Sequence, residues 1–195
     1  PVVVFFDEMD ALFRTRGTGV SSDVETTIVP QLLAEIDGVE KLSNVLVIGA
    51  TNRADMLDPA VLRPGRLDVK VRIERPGRAA TLDILSRYLN TDTPLAASEL
   101  SRHTGAAAAA AHLREVVAHE VFEVEAPLFE CLDDDGGTHY IGRSQLISGA
   151  VIKAIVDRAK RTAIKRDIEG GEPGLDESVV GSAVQGEFCL LYTSL

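Results

Sequence analysis

Asp7 and Glu8 stand side by side directly behind an unbroken apolar run, Pro1-Val-Val-Val-Phe-Phe6. Such a run, rich in β-branched residues, predicts a strand buried on both faces, as in the middle of a parallel sheet. Ligands of open α/β sheets bind just outside the carboxyl ends of the strands, so two adjacent acids at that point are placed to face one. The plainer alternative is a strand that stops at charged turn residues. A second apolar run, Val45-Leu-Val-Ile-Gly-Ala50, also ends in polar residues, Thr51-Asn52-Arg53, repeating the first arrangement. Arg63 and Arg66 then flank a tight Pro64-Gly65 turn, where two guanidinium groups could meet anionic oxygen or simply form surface ion pairs of little worth. Taken alone, Asn52 reads as a turn residue after a strand, and Ser148-Gly149-Ala150 as an N-cap followed by small residues.

The elements that position these residues follow from periodicity. Met9 to Phe13 reads as a short helix, and Arg14 to Ser22 as a loop carrying Gly17 and Gly19. Ser22-Asp23-Val24-Glu25 is a capping-box pattern opening a helix with Val24, Ile28, Leu32 and Ile36 near one face, bent at Pro30 and ended at Gly38. Asp58-Pro59 supplies an N-cap and a proline at the first helical position, predicting a short helix to Leu62. Val69-Lys-Val-Arg-Ile73 alternates apolar and charged residues, predicting a half-exposed strand at a sheet edge. Strands alternating with helices imply a parallel α/β layer.

Pro76-Gly77 marks a boundary, beyond which the pattern turns helical: Ala80 to Leu89, then Ala106 to about Glu120. Val121 to Leu132 and Thr138 to Ile141 flank the turn signal Asp133 to Gly137 and predict a hairpin. Gln145 to Asp167 predicts a long amphipathic helix with Ile152, Ile155, Val156, Ala159 and Ala163 inward, and Leu175 to Phe188 a final one. The expected organisation is therefore an α/β unit over 1–76, a mostly helical unit over 77–188 with a hairpin at about 121–143, and a tail, 189–195, that matches neither.

Composition narrows the functional class. With 45% hydrophobic and 26% charged residues the chain can bury a core. A net charge of −10 and a pI near 4.9 argue against binding nucleic acid through its phosphates. Cys131 and Cys189 fit no metal or redox spacing and suit a reducing compartment. His103, His112, His119 and His139 lie in different local contexts and form no ligand pattern with them. No run approaches a membrane span and no signal peptide opens the chain, so a cytoplasmic location without membrane or nucleic-acid partners is expected. Because the chain opens on a strand residue that is not Met, it reads as a fragment.

The order of these features resembles the AAA family of ring ATPases, from the second acidic motif through the lid. Phe5-Phe-Asp-Glu-Met-Asp-Ala-Leu12 is similar to Walker B, Ala50-Thr-Asn-Arg53 to sensor 1, and Leu57 to Asp68 to the second region of homology with its arginine fingers. The resemblance implies a partial P-loop AAA parallel-sheet core followed by a helical lid with an inserted β-hairpin. It implies ATP and Mg2+ as cofactors, with Asp7 holding the metal through water and Glu8 polarising the attacking water. Asn52 would orient that water or contact the terminal phosphate, while Arg63 and Arg66 would reach into the neighbouring subunit's site. Ser148, Gly149 and Ala150 would lie near the nucleotide's base and ribose.

Within the family, Arg14-Thr-Arg-Gly17, Val20 to Thr27, the proline of Val29-Pro30-Gln31 and the lid hairpin resemble the actinobacterial proteasome-associated branch. That branch implies a hexameric ring of identical subunits that unfolds Pup-tagged proteins and threads them into the 20S proteasome, with Arg14 to Ser22 as a pore loop. The sequence departs from the pattern in two places. No lysine follows a glycine, so the phosphate-cradling Gly-x4-Gly-Lys loop is not in this sequence, and the chain alone is expected neither to bind nor to hydrolyse ATP appreciably. Tyr192 is not penultimate, unlike the tyrosine that docks the family's tail into the proteasome, and Cys189 to Leu195 is expected to be non-native. A membrane AAA protease would need a His-Glu-x-x-His helix, which the chain lacks. A segregase would more often carry a shorter lid, and a non-catalytic assembly module would leave the acids vestigial.

Overall fold

The computed structural model describes residues 1–13, 31, 34, 44–124, 127–133 and 135–193. It divides into two compact units, 1–72 and 73–195. The expected loop Arg14 to Ser22 lies outside the described residues, as does the capped helix ending at Gly38 apart from Gln31 and Ala34, which are helical.

In the first unit β1 (Val2–Phe6) pairs in parallel with β2 (Val45–Gly49), Val2 opposite Val45 and Phe6 opposite Gly49. A helical turn, α1 (Met9–Leu12), follows β1 directly, and a 3-10 turn, Ala54–Met56, follows β2. The small core consists of Met9, Phe13, Leu57 and Val61, with Phe6 and Phe13 meeting edge to face at a centroid distance of 6.1 Å.

Two expectations are corrected here. The strands are not buried on both faces: Val2, Val3, Phe5, Leu46 and Ile48 are exposed, because a ladder of only two strands among the described residues leaves apolar side chains without a covering layer. Residues 69–73 form no strand, and Val69, Val71 and Ile73 are 83%, 75% and 87% exposed. Alternation sets which side chains share a face, but a strand needs a neighbouring strand, and among the described residues none is laddered to this segment. The predicted helix after Asp58 shortens to a single turn, with the Asp58 carbonyl accepting from the Val61 N–H at 2.9 Å.

The second unit is helical. It comprises α2 (Arg78–Tyr88), α3 (Ala97–Arg102), α4 (Ala106–Phe122), the hairpin β3 (Pro127–Leu132) and β4 (Thr138–Gly142), α5 (Arg143–Leu146), α6 (Gly149–Ile168) and α7 (Glu177–Thr193). Ile152, Ile155, Val156, Ala159 and Ala163 of α6 are all buried, as the 3.6-residue period requires. They pack in one core with Leu85 and Leu89, with Leu113, Val117 and Val121, and with Val180, Val184 and Phe188. Val121 and Phe122 extend α4 rather than opening the hairpin, because Val121 reaches this core. The hairpin closes on Asp133, whose N–H donates to the Gly137 carbonyl and whose carbonyl accepts from Gly136 at a positive φ of 79°. The last helix passes the buried Phe188 and continues to Thr193.

A polar stitch ties the end of α6 to the chain before α7. Arg166 donates to the carbonyls of Glu172 and Gly174 and to the Asp176 carboxylate. Gly174, at φ +92°, lies so near Leu95 and Ala96 that a Cβ would meet backbone at 2.5 Å. Burial works against the charged form of Asp176, yet the Val179 backbone N–H and the Arg166 guanidinium outweigh it and hold the carboxyl below its ordinary value. Glu172 is likewise held low by the Ser98 backbone N–H and hydroxyl. A depressed folded-state pKa means that the unfolded chain takes up protons first, so this stability is complete above about pH 4 and is lost as pH falls below it. Urea denaturation of the chain between pH 7 and pH 2.5 should show the midpoint falling in that acid window. Asp176→Asn should start lower and fall less.

Candidate functional site

The candidate site of the first unit is built by the backbone before any side chain is considered. The Ala50 N–H donates to the Phe6 carbonyl at 2.8 Å, and the Met9 N–H returns to the Ala50 carbonyl at 2.9 Å. These bonds continue the β1–β2 ladder past its last pair and bring the carboxyl ends of both strands together. Between them the chain must reverse sharply, and Glu8 absorbs the reversal at φ 50°, ψ 47°, the only non-glycine residue with positive φ among the described residues. A glutamate in the left-handed region costs on the order of 1 kcal/mol, and such strain concentrates where a side chain has to be aimed. The Glu8 N–H donates to Asp7 Oδ1 at 2.9 Å, which orients the Asp7 carboxylate. Both acids are exposed to solvent.

Asn52 is positioned from the other strand. The Thr51 hydroxyl donates to Asp10 Oδ1 at 2.6 Å across the gap, and the Arg53 N–H donates to the Thr51 hydroxyl at 3.0 Å. Asn52 thus sits on a turn pinned on both sides, with its own side chain exposed. The structure therefore brings Asp7, Glu8 and Asn52 to the same end of the two-stranded sheet.

The segment carrying the arginines docks on α1. The Asp58 N–H donates to the Phe13 carbonyl at 2.8 Å, and Leu57 and Val61 complete the core around Met9 and Phe13. The two arginines differ. Arg66 is half-buried and donates through Nη1 to the Ala60 carbonyl at 2.6 Å, so it braces its own turn. Arg63 is exposed, its carbonyl accepts from the Arg66 N–H at 3.1 Å, and its guanidinium makes no hydrogen bond or ion pair among the described residues. Gly65 between them takes φ +88° and donates to Asp68 Oδ2 at 3.2 Å.

Ser148, Gly149 and Ala150 belong to the second unit. There Ser148 caps α6, its hydroxyl accepting from the Val151 N–H at 3.2 Å, and Gly149 and Ala150 form the first turn.

Sequence reasoning missed Asp10 and Gly49 as site supports. Asp10 carried no signal beyond its place two residues after Glu8. Gly49 could have been found, because a glycine ending a buried-looking strand marks a close approach. A Cβ on Gly49 would fall 1.8 Å from Met9 Sδ.

Residues 1–75 match the model of the AAA ATPases associated with various cellular activities, and residues 76–190 match the ARC-type AAA+ ATPase lid domain. The chain belongs to the AAA+ ATPases with an ARC lid. Its relatives include the "Proteasome-associated ATPase" of Streptomyces griseus, 56% identical over 191 residues, covering 96% of this chain and 32% of that protein. The protein of the same name from Thermobifida fusca is 53% identical over 191 residues, covering 96% of this chain and 33% of its own length. An "AAA ATPase forming ring-shaped complexes" of Corynebacterium urealyticum is 50% identical over 197 residues, covering 96% and 37%. The chain thus spans about a third of the length of the curated relatives it matches. Among the described residues of this AAA+ chain, no helix is long and apolar enough to cross a membrane.

The close approach of Gly49 to Met9 gives a direct test of the site's scaffold. Gly49→Ala must push Met9 out of its pocket and should destabilise the protein by about 1–3 kcal/mol, the range for an overpacked core. Chemical denaturation checks it, and Gly49→Ala combined with Met9→Ala should recover part of the loss.

Proposed function

We propose that this chain is the Walker B-to-lid part of a ring-forming ATPase that hydrolyses Mg-ATP to unfold proteins for a proteasome. The observation that carries the reading is Glu8, an exposed carboxylate held in strained backbone at the carboxyl end of β1, with Asp7 oriented by its N–H and Asn52 pinned opposite. This arrangement suits the needs of phosphoryl transfer to water, which are positioning and charge neutralisation rather than covalent help.

Each residue has a definite task in this reading. Asp7 offers a hard, oriented oxygen suited to the water shell of Mg2+, a cation that keeps several of its waters. When bound, the metal neutralises charge on the phosphate oxygens. Glu8 accepts a proton from the attacking water, which requires the water within hydrogen-bond reach of the carboxylate. Asn52, a neutral amide, orients that water or the terminal phosphate without adding charge. Arg63, whose guanidinium has no partner among the described residues, is the finger that reaches the adjacent subunit's nucleotide, and Arg66 holds the turn that presents it. Ser148, Gly149 and Ala150 at the start of α6 lie by the base and ribose, where small residues allow close approach.

The parent protein assembles as a hexamer of identical subunits, feeds Pup-tagged substrates to the 20S proteasome and works in the cytoplasm. The relatives' names support the ring and the proteasome partner. The 195-residue chain by itself does not turn over ATP, because the backbone amides and lysine of a Gly-x4-Gly-Lys loop are not in its sequence.

In the full-length protein, Glu8→Gln should leave ATP binding intact while hydrolysis falls to background, read by nucleotide retention and phosphate release. Arg63→Ala should lower kcat by roughly 10³ with no change in melting temperature. Arg66→Ala should lower both. Equal loss of thermal stability in the two arginine variants would contradict the division of labour between them.

A further inference from the structure

Two of the four histidines, unconnected in sequence, come together on a buried acid in the second unit. The side chain of Glu99, on α3, is 0% exposed. A carboxylate withdrawn from water needs a cation or a metal beside it. His103 Nε2 lies 3.1 Å and His112 Nε2 3.8 Å from the same oxygen, Glu99 Oε1. The other nearby cation, Arg102, stands 3.9 Å from Oε2 on a side chain that is 63% exposed. The two imidazole rings face each other with centroids 4.5 Å apart and planes tilted by 33°.

The arrangement has a local cause. Glu99 and His103 are four residues apart at the end of α3, so they share one face, and His112 comes from the second turn of α4. The first residue of α7 closes the group. The Glu177 N–H donates to Glu99 Oε2 at 3.4 Å, which leaves Oε1 turned to the imidazoles, and Glu177 Oε2 lies 3.4 Å from His112 Nε2. The start of α3 is fixed in turn, because the Ser98 N–H and hydroxyl both donate to the Glu172 carboxylate at 2.7 Å.

We propose that Glu99, His103 and His112 hold a divalent transition-metal ion, zinc foremost, that staples the end of α3 to α4 beside the start of α7. One ligand atom from each of the three residues lies within 4.8 Å of the others. Tetrahedral zinc, with ligands about 2.0 Å away, sets donor atoms roughly 3.3 Å apart, and the 3.1 and 3.8 Å separations at Glu99 Oε1 bracket that value. Two imidazoles and a carboxylate are a zinc-type donor set, and Glu177 or water supplies the fourth ligand. The site is open to entry, since His103 and His112 are 24% and 35% exposed. This site is separate in chemistry from the nucleotide reading and stands without it.

The test uses the 195-residue chain, stripped with chelator and titrated at pH 7.5 with zinc chloride against a chromophoric indicator, then with cobalt(II) to report coordination. The expected result is one saturable equivalent of zinc, a cobalt visible spectrum of a four- or five-coordinate site, and a melting temperature raised by zinc. His103→Gln and His112→Gln should each weaken binding at least tenfold, and His119→Gln, which alters the exposed His119–Glu123 pair, should not. Circular dichroism establishes that each variant is folded, and if a variant is not, the wild-type cobalt spectrum and stoichiometry decide. No saturable equivalent, an octahedral cobalt spectrum, or binding that survives both Gln variants overturns the proposal. So does a stability that follows pH identically with and without zinc.

Discussion

The pair of backbone hydrogen bonds that joins Phe6, Ala50 and Met9 is the constraint on which the chemistry of the first unit depends. A parallel ladder normally ends where its strands diverge. Here β2 continues one residue further, to Ala50, which bonds both Phe6 and Met9, so the chain between Phe6 and Met9 has no room for an ordinary turn. The left-handed backbone of Glu8 follows from that geometry. The strain is offset by what it permits, which is burial of Met9 against Gly49 and of Phe13 beneath the segment carrying the arginines. One small apolar cluster thereby sets the positions of an acid pair, an amide and an arginine turn drawn from stretches that are distant in sequence.

The second unit is held together differently. Its core is a continuous set of apolar side chains, most of them from four helices. Arg166, Asp176 and Glu172 fasten the connection between α6 and α7. Arg143 pairs with Glu120 at 2.8 Å and lies over the Phe188 ring, joining the hairpin side to α4 and α7. Half-buried ion pairs of this kind contribute modestly to stability but fix register, because separating one partner strands a poorly solvated charge.

Much of this was legible in the sequence where one physical signal dominated. The inward face of α6 follows from periodicity alone, and the two parallel strands from apolar runs that end in polar residues. The segments that resemble Walker B, sensor 1 and the arginine fingers stood out because their residue types occur in a fixed order. Other features were not legible, for identifiable reasons. Residues 69–73 alternate like a strand, yet a strand exists only through a partner, which the alternation does not supply. The helix α3 is too short for a period to declare itself. That Arg66 reaches the Ala60 carbonyl is set by the fold of its turn and not by sequence spacing. The Glu99–His103–His112 cluster needs α3, α4 and α7 folded together, so no local spacing announces it.

The central proposal is that Glu8 and Asn52, held at the ends of adjacent strands by this backbone connection, serve one and the same hydrolytic step. A double-mutant cycle on kcat in the full-length ring, using Glu8→Gln, Asn52→Ala and the pair, measures whether they do. Residues that serve a single step are strongly non-additive, so the account predicts that the double variant is scarcely slower than the worse single variant. Losses that multiply independently would contradict it.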